Sequence, residues 1–96
     1  MKYTMISNLL QDCEKGIEIK TRAYTNEEKE KLIDFMKSVE PCAVAGHVYD
    51  CIKQEEINIE HVLYENDGFW WTSQDIYHLE KYNAAVTQEF YDKVMK

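Results

Sequence analysis

The chain has three glycines, one proline and no CxxC pair in 96 residues. So few glycines cannot build a phosphate-cradling loop, and GxSxG, HExxH and EF-hand patterns are all missing. No apolar run approaches the roughly 18 residues that cross a bilayer, and the first fifteen residues space their apolar side chains along a helix instead of in one block. The expectation is therefore a protein without signal peptide or membrane contact. Cys13, Cys42 and Cys51 are an odd set without knuckle spacing, which reads as three thiols in a reducing, cytoplasmic setting. Basic residues are scarce where it matters most. Residues 50 to 80 hold eight carboxylates against the single base Lys53. This window alone accounts for the net charge of −7, since the flanking segments nearly balance. With the bases dispersed among acids, direct nucleic-acid binding is not expected.

What is present is a chain able to fold. Apolar residues make up 45% and aromatics 12%, enough for one core but, at this length, not for two, so residues 1–96 form a single domain. Met5, Ile6, Leu9, Leu10 and Cys13 recur at helical spacing and predict a helix over 4–15 that ends at Gly16. Ile17 to Tyr24 alternates and predicts a short strand. Thr25 and Glu28 form a capping box for a helix that ends before Pro41. Ala43 to Ile52 is apolar at both parities, as in a strand covered on both faces. Ile57, Ile59, His61 and Leu63 alternate with Asn58, Glu60, Val62 and Tyr64, the first set expected to face the core. Asn66, Asp67 and Gly68 turn the chain into a strand at Phe69 to Thr72. Ser73 then caps a short helix closed by Asn83, and Thr87 caps the last one. The order α-β-α-β-β-β-α-α implies an α+β fold, a small three- or four-stranded mainly antiparallel sheet with helices packed on one face.

Three constellations invite a chemical reading. Cys42, His47, Cys51 and His61 are zinc-ligand types, but they stand 5, 4 and 10 positions apart instead of in pairs two to four apart, so no metal or other cofactor is expected. Cys51 with His47 or His61 forms a thiolate and base on paper, without an oxyanion-hole segment to support it. The acidic aromatic window is the third. Trp70 and Trp71 are adjacent in a strand, so one faces the core and the other the opposite side. Glu60, Tyr64, Glu65, Asp67, Trp70, Trp71 and Asp75 then have the composition of a docking surface for a protein with a basic face. The reading is a non-catalytic protein-binding or inhibitor-type module without catalytic residues. A homo-oligomeric accessory domain pairing through a strand edge is the alternative, and a small enzyme or ligand binder using Cys51 is the third.

Overall fold

The computed structural model describes residues 4–96; Met1 to Tyr3 of the amino-terminal stretch lie outside the described residues. Eight elements follow in order: β1 (Thr4–Met5), α1 (Leu9–Lys15), α2 (Asn26–Ser38), β2 (Pro41–Asp50), β3 (Glu55–Asn66), β4 (Phe69–Thr72), α3 (Ser73–Tyr82) and α4 (Gln88–Met95). The fold is α+β, with a four-stranded sheet in the order β1-β4-β3-β2. β2, β3 and β4 are antiparallel neighbours, and only β1 runs parallel to its partner β4.

The caps act as the sequence specifies, with one shift. Thr25 and Glu28 form the expected reciprocal box. α3 is capped by Thr72 instead of Ser73: the Thr72 side chain accepts from Gln74 N, and Asp75 reaches back to Thr72 N. Ser73 Oγ is otherwise engaged, accepting from Val62 N and donating to Glu60 O, so it continues the β3 ladder past the end of β4. Asn83 closes α3 in the left-handed conformation, and Thr87 accepts from Phe90 N at the start of α4.

Helices α2, α3 and α4 bury one face of the sheet. Ile6, Leu32, Met36, Trp71, Ile76, Leu79, Phe90 and Val94 form the core cluster, with Phe35, Tyr64 and Phe69 packed against it. Trp71 sits among Phe35, Tyr64 and Phe90 at ring separations of 5.9, 6.0 and 5.4 Å. A smaller cluster of Leu9, Ile19 and Ala84 lies beneath α1.

Four expectations need correction. The amino-terminal helix starts at Leu9, because Thr4 and Met5 pair with Phe69 and Trp70 as β1. The segment 17–24 is not a strand of the sheet; it contributes a single bridge, Thr21 to Ala84. β2 is an edge strand whose first seven residues are exposed, not a strand covered on both faces. The β3 parity is also reversed: Tyr64 pairs with Trp71 and so shares its core face, which leaves Leu63 and His61 on the opposite side. Irregularities in the β2–β3 ladder, one of them spanning Gly46 at φ 75°, break the simple alternation.

Candidate functional site

The sheet face opposite the helices follows from the cross-strand register. Trp70 pairs with both Met5 and Glu65, and Leu63 pairs with Thr72 and Ala43. Paired residues project to the same side, so Met5, Trp70, Glu65, Leu63 and His61 share this face. None of them belongs to either core cluster. Trp70, Glu65 and Leu63 are each half-buried. His61 Nε2 is shielded from solvent and has no hydrogen-bond partner among the described residues.

The seven residues expected to form one surface are dispersed. Trp70 and Glu65 lie side by side on the face away from the core, both half-buried. Glu60 and Tyr64 are on the helix side, lining a shallow cavity of about 360 Å³ with Val62, Ile76 and Tyr77. Asp67 is at the β3–β4 turn, where its Oδ2 meets Lys93 Nζ at 2.6 Å, and this hydrogen bond and charge hold the carboxyl below its ordinary range. Trp71 is wholly buried, which removes it from any contact surface. Asp75 is buried as well: Ser7 Oγ donates to one oxygen at 2.8 Å and Thr72 N to the other at 2.9 Å. Burial pushes its pKa up, opposed chiefly by those two donors.

A polar cluster that the sequence pattern did not reveal fastens the β2–β3 tip to α3. Asp50 is buried at the end of β2 and accepts from Ile52 N and Lys53 N, and from Tyr77 Oη and Tyr82 Oη at 2.7 Å each. Burial alone would raise its pKa, but these four donors overcome it and hold the carboxyl at about 2. Burial and the Asp50 charge push the Tyr82 hydroxyl up to about 12. Lys81 Nζ donates to Tyr77 Oη and lies over both tyrosine rings. Beside this cluster Gln74 Oε1 accepts from Tyr49 N, and His78 Nε2 accepts from Cys51 N. With Nε2 accepting, the His78 proton resides on Nδ1 and is donated to Gln74 O at 2.8 Å.

The three-thiol expectation is overturned. Cys13 and Cys51 form a disulfide across 38 residues, their Cα atoms 5.5 Å apart, because the hairpin tip lies against α1; Cys42 is free and exposed. The cysteine argument for a reducing compartment lapses with it. Cys51 therefore has no thiol to ionise, and His47 Nδ1 is 3.2 Å from Glu56 Oε1.

The fold and this face define a class: a small α+β domain with its helices on one side of a four-stranded sheet. No family model, curated protein or solved structure matches the chain.

Proposed function

We propose that the protein is a non-catalytic binding module that docks a basic partner protein on the sheet face away from the aromatic core, with Trp70 as anchor and Glu65 beside it. The observation that carries this reading is the placement of Trp70, which stands with Met5, Leu63 and Glu65 on the side of the sheet away from the aromatic core, none of the four belonging to that core. Tryptophan anchors flanked by polar groups are the composition of interface hot spots. A chain of net charge −7 draws in a basic partner and repels an acidic one. Glu65 is the one acid on that face among the residues named, and Glu60 and Asp67 become outlying contributors to the field.

Immobilised wild-type protein, Trp70→Ala and Glu65→Lys compared for capture at low salt test the reading. A basic protein retained by the wild type, eluted by a few hundred millimolar salt as screening shortens, and lost from both variants is expected. Equal retention by all three, or no basic protein retained, refutes it.

A second reading, self-association, rests on the edge of β2. Ser73 Oγ takes the Val62 N–H and the Glu60 carbonyl, so these groups point away from β2. Their partners Val44 and His47 then form non-hydrogen-bonded pairs of the ladder and turn their own backbone groups outward. Further along, Gln74 and His78 cover the same edge at Tyr49 and Cys51. Pro41 to Tyr49 carries no acidic or basic residue other than His47, so two acidic copies meet there with least repulsion. Sedimentation of a strict monomer at high concentration excludes this reading.

A further inference from the structure

We infer that the Cys13–Cys51 disulfide is a thiol-exchange site whose opening releases the segment from Leu9 to Ile19 while the rest of the fold stays closed. Both ends of this segment are independently anchored. Before it, Ile6 is in the core and its carbonyl accepts from Thr87 N, while Ser7 Oγ donates to Asp75. After it, Lys20 O accepts from Ala85 N, Thr21 bridges Ala84, and Arg22 N donates to Asn83 O.

Between these anchors little holds the chain. α1 is 7 residues long, shorter than an autonomous helix, its N-cap Asn8 makes no side-chain cap, and Leu9 is its one buried residue. Leu9 and Ile19 pack in the small cluster with Ala84, against which Cys51 and Tyr82 also lie, beside a cavity of about 170 Å³. The disulfide is the covalent tie that keeps α1 on the hairpin tip. The tip does not depend on it in return, since Asp50 and His78 fasten residues 50–53 to α3.

The bond is also open to attack. Both cysteines line a groove of about 340 Å³ bordered by Ile17, Tyr49 and Ile52, which are 53%, 41% and 51% exposed. Gln74 Nε2 donates toward Cys51 Sγ at 3.6 Å, closer than the Tyr49 carbonyl oxygen at 3.8 Å, so negative charge developing on that sulfur has a donor, whereas Cys13 has no such donor among the described residues. An incoming thiolate therefore bonds to Cys13 Sγ as the disulfide breaks and its electron pair leaves on Cys51 Sγ. A second thiol of the reductant then resolves the mixed disulfide. The dithiol gives up two electrons and two protons and becomes a disulfide, and Cys13 and Cys51 become thiols.

Dithiothreitol serves as the probe, with hydrogen exchange read by mass spectrometry and near-ultraviolet circular dichroism read for the Trp71 environment. The expected result is reduction without denaturant, exchange at least about tenfold faster in residues 9–19, and an unchanged aromatic signal. A second measurement fixes the point of attack: brief exposure to glutathione followed by acid quenching gives an adduct on Cys13. Reduction that requires urea, reduction that unfolds the whole chain, unchanged exchange in the reduced protein, or an adduct on Cys51 each overturns the inference.

Discussion

Two tryptophans adjacent in sequence have opposite roles, and the difference is measurable. Trp71 is wholly buried among aromatic rings, its Nε1 donating to Met36 O at 3.4 Å, so Trp71→Ala should cost about 3–5 kcal/mol in urea unfolding. Trp70→Ala, on the face away from the core, should cost no more than about 1 kcal/mol. A similar cost from the two substitutions would contradict the assigned parity. Asp50 is the other decisive residue. Asp50→Asn leaves the two tyrosine hydroxyls and two backbone amides without a charged acceptor, and a loss of about 2 kcal/mol is expected at neutral pH. Because the folded value of about 2 lies below the ordinary 3.8, the Asp50 contribution is present above the ordinary value and is lost as pH falls through the folded one. The stability difference between wild type and Asp50→Asn should accordingly shrink in urea melts over that acid window.

At the level of elements, local chemistry and the ladder contribute separately. The capping boxes of α2 and α3 satisfy amides within three residues of the cap, so Thr25→Ala should cost about 1 kcal/mol by thermal melting. Thr72→Ala should cost more than Thr25→Ala, since Thr72 is buried and its cap sits against Asp75. Gly46, at φ 75°, lies within an irregular stretch of the β2–β3 ladder. An added Cβ there meets nothing within 4 Å, so Gly46→Ala carries only the backbone penalty, about 1 kcal/mol. A larger loss would mean that β2 has additional neighbours at this point. The β2–β3 tip owes its position to Asp50, Gln74 and His78, which join a strand end and edge to the flank of a helix 20 or more residues away in sequence.

For the whole molecule, two buried carboxyls oppose each other in pH. Asp50 favours the fold when ionised, whereas Asp75, its pKa raised chiefly by burial, favours it when protonated. The Asp75 contribution is present at low pH and is lost as pH rises through its folded value, so stability should decline on both sides of a maximum. Asp75→Asn should flatten the upper side while leaving the acid side intact, as read from urea midpoints across pH; an unchanged upper side would assign it to another group. What the sequence by itself determined lies within a few residues of chain: the Thr25–Glu28 box, the Asn66 to Gly68 turn with Asp67 and Gly68 at positive φ, the left-handed Asn83 and the Thr87 cap. These are legible because donor and acceptor, or turn and residue type, are neighbours. The α+β class followed from the order of elements, and the opposite orientation of the two tryptophans from their adjacency in a strand. Which tryptophan enters the core was settled only by the tertiary structure, where Trp71 and its partner Tyr64 meet the helices, because both parities of β3 and β4 carry apolar or aromatic residues and the pattern favours neither. The dispersal of the acidic window has the same origin: Asp50 and Asp75 are drawn inside by donors from α3 and from Ser7, and Asp67 is drawn to Lys93. The Cys13–Cys51 bond likewise depends on a hairpin tip reaching α1, a distance in space that no spacing along the chain encodes.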